Sequence, residues 1–350
     1  MVSFQGAFIV QTELLRPDDD AMPGASIARA ADVLRGGGLV AFATETVYGL
    51  GGVATDPSAV ARIFAAKGRP ATNPVIVHVA DIAAARNLVL NWPPRAQRLA
   101  ERFWPGPLTL VLPRGAGLPD LVTAGGSTVA VRVPAHPVAL ALMRAVGLPI
   151  AAPSANRSQR LSPTTADHVM KQLAGRIEMV LDSGPTSGGL ESTVLDLSTD
   201  RPRLLRPGLL SLADLEAFLE ERVLLGQQPG DSPIARSPGQ QARHYAPSVP
   251  LKLREKASQQ PLELSTSPGQ LVGWLSFGAV EGADRAHLCT VAMPVGPAEY
   301  AARLYAALHE LEAAGVSSIV VDAPPDLPAW QAVRDRLRRA AAVEGPTDHQ

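Results

Sequence analysis

The first third of the chain contains a short, strongly cationic corner. Lys67-Gly68-Arg69-Pro70 is followed by Asn73-Pro74 and by an apolar run that ends at His78. A guanidinium and an ammonium on one rigid corner suit phosphate oxygens, and the prolines bias Arg69 and Asn73 away from helix. A solvated basic loop would have the same residues. The corner therefore predicts a phosphate site only where compatible chemistry recurs downstream.

Polar side chains recur at the ends of other predicted strands. Thr44-Glu45-Thr46 follows an apolar run and leads into a glycine-rich turn, and Pro153-Ser154-Ala155-Asn156 follows another. Two further hydroxyl corners contain Ser162 and Ser192. Hydroxyls, amides and free N–H groups at such corners suit a phosphate or a carboxylate. The glycines have the spacing of neither a P-loop nor a dinucleotide-binding fingerprint.

Two arginines are placed where they need an anion. Arg132 lies within the apolar strand Val129–Val133, and Arg206 precedes a proline after another apolar run. A buried guanidinium requires an anionic partner, which could be a protein carboxylate or a substrate carboxylate. Neither a Ser-His-Asp set nor a carboxylate cluster for a tightly held metal stands out. The pattern indicates a site that stabilises several negative charges, as a nucleotide and a carboxylate substrate would require.

Length and composition limit the class of protein. At 350 residues two domains are expected, and a net charge of −1 argues against a protein that coats nucleic acid. The single Cys289 excludes an intramolecular disulfide and a multi-cysteine zinc site, so we expect a cytoplasmic protein. Residues 1–10 lack the pattern of a signal peptide, and we expect no membrane span.

The order of apolar runs predicts an α/β fold in two parts. Short β-branched strands alternate with helices over residues 20–222, which indicates a mixed sheet flanked by helices. Residues 223–249 are rich in glycine, proline and glutamine and are typical of a linker. Residues 250–343 then show a βαβα pattern, which predicts a smaller Rossmann-like parallel domain.

The linker carries one group of residues with chemistry of its own. Arg243-His244-Tyr245-Ala246-Pro247 places a cation, an imidazole and an aromatic ring together in an otherwise bland segment. Loops with such residues are more often functional than plain connectors, although a tyrosine docked on the neighbouring domain would also explain them.

The order of these motifs resembles the YrdC-like family. In chain order they are Thr44–Leu50, Lys67–Pro70, Trp104–Thr109, Ala130–Pro134, Pro153–Asn156, Glu191–Val194 and Arg206–Gly208. The linker sequence, Ser237-Pro238-Gly239 to Pro247, and the added C-terminal part resemble the long, two-domain threonylcarbamoyl-AMP synthases. The resemblance covers roughly residues 24–343, with no departure at the motif positions.

The resemblance implies a reaction and a set of site residues. L-threonine, bicarbonate and ATP would give threonylcarbamoyl-adenylate and pyrophosphate, for the threonylcarbamoyladenosine modification of tRNA beside the anticodon. Lys67 and Arg69 would be catalytic. The residues implied for L-threonine are Thr46, His78, Arg132, Ala152 and Ser192. Those implied for ATP are Arg69, Asn73, Thr128, Ser154, Asn156, Ser162, Arg206 and Tyr245.

The same resemblance implies how the site would work and with what. Catalysis would consist of positioning and electrostatics, with Mg²⁺ arriving on ATP and no metal ligand from the protein. The Tyr245 segment would close over the nucleotide as a lid. The product would pass to the tRNA threonylcarbamoyl transferase machinery, with at most a transient contact to tRNA and none to a membrane.

Two other classes of protein share some of these residues. The Lys and Arg corners could serve an RNA- or tRNA-binding module without adenylate-forming chemistry, but the near-zero net charge and the lack of a basic stripe argue against it. A YrdC-like domain also occurs in hydrogenase-maturation proteins that process carbamoyl phosphate. Those carry zinc-binding regions, for which one cysteine is insufficient.

Overall fold

The computed structural model describes residues 10–17, 24–226, 243–255, 270–278 and 287–342. Two β-sheets organise these residues. A mixed sheet of eleven strands is built from residues between 13 and 225, and a parallel sheet of four strands from residues between 251 and 322. Within the described ranges, no helix combines the length and apolarity that crossing a membrane requires.

The larger sheet and its helices occupy the first two thirds of the chain. Its strands are β1 (Glu13–Leu15), β2 (Val40–Ala43), β3 (Tyr48–Val53), β4 (Ile76–His78), β5 (Leu108–Pro113), β6 (Thr128–Arg132), β7 (Ile150–Ala151), β8 (Met179–Leu181), β9 (Thr193–Asp196), β10 (Arg203–Arg206) and β11 (Leu224–Leu225). The helices are α1 (Ala25–Arg35), α2 (Pro57–Lys67), α3 (Ile82–Arg86), α4 (Pro94–Phe103), α5 (Asp120–Thr123), α6 (Pro137–Val146), α7 (Ala166–Leu173) and α8 (Leu212–Leu219).

The strand order brings distant motifs to one edge of this sheet. The order is β1-β8-β2-β3-β7-β4-β6-β5-β9-β10-β11. β4 and β6 are parallel, with His78 opposite Arg132, and the antiparallel β7 places Ile150 opposite His78. Because β5 runs antiparallel to β6 and parallel to β9, the turn before Thr193 lies at the edge where β4 and β6 end. The central strands thus position the polar corners that follow or precede them.

Helix α2 delivers the cationic corner to that edge. It begins at Asp56, whose carboxylate accepts a hydrogen bond from the Ser58 N–H at 2.8 Å. It ends at Gly68, whose left-handed backbone (φ 64°) suits glycine and turns the chain sharply. Val60, Ile63 and other apolar residues of its inner face are fully buried against the sheet. The helix is therefore fixed by its core face, and Lys67 and Arg69 are held at its end.

The smaller sheet forms a second layered unit. Its strands are β12 (Leu251–Arg254), β13 (Val272–Phe277), β14 (Leu288–Met293) and β15 (Ser318–Asp322), in the order β12-β15-β13-β14 with all pairs parallel. Its helices are α9 (Pro297–Ala313) and α10 (Gln331–Ala341). Parallel neighbours require long crossovers, and α9 supplies the one that joins β14 to β15.

The predicted fold class is confirmed, with two corrections. The glycine-rich segment after Thr46 is the buried strand β3 rather than a turn, because a Cβ at Gly51 would lie 2.8 Å from the Phe42 ring and only glycine allows that packing. The C-terminal sheet has four strands rather than the two of the predicted βαβα pattern, which omitted the short runs of β12 and β14.

The predicted divisions at 222/223 and 249/250 stay predictions. Ser237-Pro238-Gly239 of the linker signature, residues 1–9 and 20–23, and position 343 lie outside the described residues.

Two stacked histidines connect the two units, and their lowered pKa values predict that acid destabilises the fold. The rings of His168 (α7) and His309 (α9) lie 3.8 Å apart, and burial lowers their pKa values to about 3 and about 4. The charge of Lys171 lowers both pKa values further. The carboxylates of Asp167 and Glu310 oppose this shift at His168. Near His309, Glu312 Oε2 lies 3.7 Å from Nδ1.

Because the unfolded chain binds protons near pH 6.5 and the folded one does not, stability is full above that pH and is lost as the pH falls towards 4. We expect the free energy of unfolding in urea to be lower at pH 5 than at pH 7, with about 1–2 kcal/mol of the difference due to His309. His309→Phe should reduce the difference by that amount, because His168 and His78 keep their own contributions, and the same substitution at the exposed His287 should leave it unchanged. Equal pH dependence in all three proteins would contradict the assignment.

Candidate active site

A small cavity lies at the sheet edge where these motifs meet. Its wall consists of Thr44, Thr46, Val47, Gly49, Arg69, Ile76, His78, Arg132, Ala152, Pro153, Ser154, Glu191, Ser192, Arg206, His244 and Tyr245. The free space inside is about 40 Å³. That is close to the ~30 Å³ that one water molecule occupies and far below the roughly 300–1,000 Å³ of sites for small ligands. The described conformation is therefore closed.

Arg132 forms one end of the cavity, where β6 ends. Its Nη2 donates to Glu45 Oε1 at 2.5 Å, its Nη1 to Thr46 Oγ1 at 3.1 Å, and its Nε to the Gly106 carbonyl at 3.1 Å. The side chain is nearly fully buried. The sequence left open whether a protein or a substrate carboxylate would pair with this guanidinium. Glu45 is the protein partner, and the guanidinium still lies on the cavity wall.

Arg206 forms a second cationic wall, at the end of β10. Its Nη2 donates to the Ser192 carbonyl at 2.9 Å and to Ser192 Oγ at 3.0 Å, and its Nε to the same carbonyl at 3.1 Å. Ser192 Oγ lies 2.8 Å from Thr109 Oγ1 on β5. A Cβ at Gly208 would lie 2.3 Å from the Thr193 nitrogen, so this close approach of two turns requires glycine.

The predicted phosphate corner has the most unusual electrostatics. Arg69 donates to the Asn73 carbonyl (2.9 Å), to Asn73 Oδ1 (2.7 Å) and to the Pro74 carbonyl (2.6 Å). Lys67 Nζ donates to the carbonyls of Ser154 and Asn156. Among the described residues no carboxylate lies within ion-pair distance of either cation. The buried side chains of Lys67 and Arg69 donate their hydrogen bonds to carbonyl oxygens. They create a positive potential that an anion would complement.

The pKa shifts at this corner have the same origin. Burial, reinforced by the charge of Arg69, lowers the pKa of Lys67 well below its ordinary value. Burial also lowers the pKa of Arg69 to about 9, with Tyr245 opposing the shift and Arg206 adding to it. An arriving phosphate would raise both pKa values again, because opposite charge favours the protonated form. Shifts of this kind cluster at functional sites.

His78 is a neutral member of the wall. Burial, aided by the charge of Arg132, lowers its pKa to about 3, so the imidazole is uncharged at neutral pH. Its Nδ1 is buried and has no hydrogen-bond partner among the described atoms. An unsatisfied buried nitrogen beside Arg132 is available to a polar ligand.

The linker segment fills the rest of the cavity. Tyr245 is 1% exposed although it belongs to no helix or strand, and its backbone has a left-handed φ of 59°, which is unusual for an aromatic residue. The ring of His244 packs edge-on against Tyr245, with centroids 4.0 Å apart. The segment is held by hydrogen bonds from His244 N to the Arg339 carbonyl and from Ala246 N to the Gln159 carbonyl. This packing accounts for the small free volume.

The structure brings together most of the residues singled out from the sequence. Those that line the cavity are Thr46, Arg69, His78, Arg132, Ala152, Ser154, Ser192, Arg206 and Tyr245. Those outside its wall are Lys67, Asn73, Thr128, Asn156 and Ser162. Lys67 and Asn73 support the wall through hydrogen bonds to it, whereas Thr128 begins β6 at the end remote from Arg132. The substrate roles of all fourteen stay predictions.

Two carboxylates on or beside the wall were not singled out from the sequence. Glu45 pairs with Arg132, and Glu191 accepts hydrogen bonds from Ser162 Oγ at 2.6 Å and from Arg336 Nε at 2.7 Å. Each glutamate directly precedes a predicted threonine-site residue in the sequence. Because a buried arginine requires an anionic partner, this adjacency was the sequence signal that could have identified both glutamates. The partner Arg336 is 145 positions away and gave no local signal.

Comparisons with known proteins agree with this fold. The family described as "Telomere recombination" matches residues 32–208, and the "Threonylcarbamoyl-AMP synthase, C-terminal domain" matches residues 210–342. The threonylcarbamoyl-AMP synthase of Bacillus subtilis is 44% identical over 90% of this chain and 92% of its own length. That of Pyrococcus abyssi is 43% identical over 89% of this chain and 93% of its own.

Solved structures extend the likeness to three dimensions. P. abyssi Sua5 in complex with L-threonine has a TM-score of 0.82 and 38% identity, over 94% of this chain and 97% of that one. A P. abyssi Sua5 variant in which a histidine and the tyrosine after it are alanine gives a TM-score of 0.82, with 37% identity over 95% and 96% of the two chains. The more distant YciO of Escherichia coli shares only the fold, over 59% of this chain and 99% of its own (TM-score 0.51, 23% identity).

These matches define the class as an α/β protein with a YrdC-like sheet and an added C-terminal unit, which confirms the resemblance seen in the motifs. The chain belongs to the threonylcarbamoyl-AMP synthase family, whose members are adenylate-forming nucleotidyltransferases.

Proposed function

We propose that this chain converts L-threonine, bicarbonate and ATP to threonylcarbamoyl-adenylate and pyrophosphate, for modification of the tRNA adenosine beside the anticodon. One observation carries the proposal: a buried cavity has the cations Arg69, Arg132 and Arg206 on its wall and, among the described residues, only two carboxylates near them. Such a cavity suits two anionic substrates at once. Family membership and the relative that binds L-threonine support the choice of substrates.

The Arg132 end is assigned to threonine. The guanidinium donates directly to Thr46 Oγ1 at 3.1 Å, so a carboxylate placed beside this pair would lie within reach of both donors. The neutral His78 and the backbone at Ala152 would orient the amino acid, and Ser192 Oγ would complete the contact. The neutral threonine amine attacks CO₂ and releases its proton to water, or attacks bicarbonate with loss of one water molecule, so this end positions the reactants and needs no strong base.

The Arg69 end is assigned to ATP. The carbamate oxygen attacks the α-phosphorus, the bond to the β-phosphate oxygen breaks, and pyrophosphate leaves. Arg69 and Arg206 on the wall would stabilise the charge that builds up on the phosphoryl oxygens. Lys67 would act with them by holding the turn Ser154–Asn156 and by contributing its charge once a phosphate raises its pKa.

Magnesium is proposed to arrive with the nucleotide. Glu45 and Glu191 are engaged by Arg132 and Arg336, and the described residues contain no group of three His, Cys, Asp or Glu side chains that could hold a metal. Phosphate oxygens and water are the ligands that Mg²⁺ takes most readily in such sites. The product would be handed to the tRNA threonylcarbamoyl transferase machinery, which places the chain in the cytoplasm in this proposal.

A substrate-omission assay tests the proposal. The purified chain is incubated with ATP, Mg²⁺, L-threonine and bicarbonate, and with each component left out in turn, while pyrophosphate is measured. We expect pyrophosphate release only in the complete mixture. Release that does not depend on threonine, or salt-sensitive tRNA binding without any release, would contradict the proposal and favour a nucleic-acid-binding module.

The linker segment that contains Tyr245 is proposed to form a lid over the nucleotide, and substitution of Tyr245 tests this role. In Tyr245→Ala we expect a KM for ATP about tenfold higher, because the variant lacks the ring that packs beside Arg69 and Arg206 and water enters in its place. A lower yield of intact adenylate per ATP consumed should accompany it. Tyr245→Phe, which keeps the ring, is the matched control and should stay within about threefold of the parent. Unchanged ATP affinity and yield in Tyr245→Ala would exclude the lid.

A further inference from the structure

Arg336 of α10 is a buried side chain through which the C-terminal unit reaches the active site. The side chain is 1% exposed. Its Nε donates to Glu191 Oε2 at 2.7 Å, its Nη2 to the Pro207 carbonyl at 3.0 Å and its Nη1 to Asp335 Oδ2 at 2.6 Å. The guanidinium carbon also lies 4.8 Å from the ring centroid of Tyr245, within the range of a cation–π interaction. One residue thus contacts the cavity wall, the Arg206 turn and the linker.

Glu191 is the point at which these contacts meet the site. It lines the cavity, precedes Ser192, and accepts hydrogen bonds from Ser162, Arg336 and Tyr305 OH (3.2 Å). Burial alone would raise its pKa, but the charges of Arg336 and Arg206 and the hydrogen bonds lower it below the ordinary value. Glu191 is therefore ionised, and its charge is compensated from the C-terminal side.

The backbone around Glu191 is pressed against the same unit. A Cβ at Gly189 would lie 2.5 Å from the Ala301 and Ala302 carbonyl oxygens of α9, and its φ of 71° also favours glycine. The Tyr245 ring lies 6.0 Å from that of Tyr305 on the same helix. The turn that carries Ser192 and the linker that carries Tyr245 therefore rest on one common support.

We propose that Arg336 is a positioning residue through which the C-terminal unit holds the linker and Glu191 in the arrangement that binds ATP. The proposal rests on the proposed function for its substrate, but the contacts it concerns exist without substrate. Arg336 neutralises Glu191, so that this carboxylate neither repels the nucleotide phosphates nor competes with them for Arg206. It also holds the Tyr245 ring at the cavity.

The test compares four variants of the full chain with the parent protein: Arg336→Met, Arg336→Lys, Glu191→Gln with Arg336→Met, and Arg338→Met. Arg338 lies on the same helix with its side chain 58% exposed, and provides the matched control. Two quantities are measured: amide hydrogen exchange of residues 243–249 without substrates, and the KM values for ATP and L-threonine.

The double variant is decisive, because Glu191→Gln removes the uncompensated charge that Arg336→Met alone would bury. We expect exchange in 243–249 to be about tenfold faster, because a charge-assisted interaction no longer holds the linker, and exchange in α1 and α2 to be unchanged. The KM for ATP should rise about tenfold and that for threonine by less than about threefold. Arg336→Lys should recover part of both effects, and Arg338→Met should match the parent protein.

Parental exchange in 243–249 of the double variant would overturn the proposal. Faster exchange throughout the chain, or equal rises in both KM values, would also overturn it, because either result indicates a general structural role. A parent protein without threonine-dependent pyrophosphate release would remove the proposed function, yet the exchange data would still show whether Arg336 holds the linker.

Discussion

Arg69→Ala is expected to lower the rate of threonine-dependent pyrophosphate release about a hundredfold, or about 2.7 kcal/mol of transition-state stabilisation. The side chain is buried on the cavity wall, donates its hydrogen bonds to backbone and amide oxygens of residues 73 and 74, and has no carboxylate partner among the described residues. A charge maintained in this way, at a cost in desolvation, is best explained by an anion that binds beside it.

Two controls separate this effect from damage to the fold. Arg86→Ala removes an exposed arginine at the end of α3 and should leave the rate within about twofold of the parent. Arg69→Lys keeps the charge but lacks the planar fork, and should be intermediate in rate. Arg69→Ala with near-parental turnover would remove this residue from the proposed mechanism.

Arg132→Ala is expected to raise the KM for threonine by roughly 30- to 100-fold while the KM for ATP changes by less than about threefold, since one charge-assisted pair contributes about 2–3 kcal/mol. The guanidinium lies on the cavity wall and is held by Glu45 and Gly106. Its removal takes away the proposed partner of the substrate carboxylate and also leaves the negative Glu45 uncompensated at that place.

The part of the rise in the KM for threonine that is due to the uncompensated Glu45 can be measured separately. The double variant Arg132→Ala with Glu45→Gln should recover part of the threonine affinity, because the uncompensated carboxylate is gone. If Arg132→Ala raised both KM values equally, or if the double variant were no better than the single one, the assignment of Arg132 to the threonine carboxylate would be refuted.

The sequence predicted the fold class and most of the cavity wall because both depend on local pattern. Strand ends with hydroxyl, amide and arginine residues recur along the chain, and parallel strands bring such ends to one edge of a sheet. The need of Arg132 for an anion followed from its apolar strand alone. The Lys67 corner followed from α2, whose glycine C-cap directs the chain towards the cavity.

The partners of these residues could not be predicted in the same way. Glu45 meets Arg132 across 87 positions, and Glu191 meets Arg336 across 145, so both pairs depend on the arrangement of whole elements. The glycines of β3 have the composition of a turn, and for that reason the sequence predicts one. The sequence does not show that an aromatic ring packs against them in a strand.

The corner around Arg69 and the strand that ends at His78 are joined by only a few residues, and both Arg69 and His78 line the same cavity. The hydrogen bonds between Arg69 and Asn73 make the connection stiff. This short segment would therefore contact the nucleotide first and threonine at its far end, which fits a reaction that depends on the alignment of two substrates.

Mass spectrometry of the adenylate formed from carbon-13 bicarbonate tests the central claim most directly. The parent protein, ATP, Mg²⁺ and L-threonine are mixed with the labelled bicarbonate, and the product is analysed at once. We expect an adenylate that contains threonine and carries the heavy carbon, formed in proportion to the pyrophosphate released. An adenylate without the label, or pyrophosphate release with no threonine-containing adenylate, would contradict it.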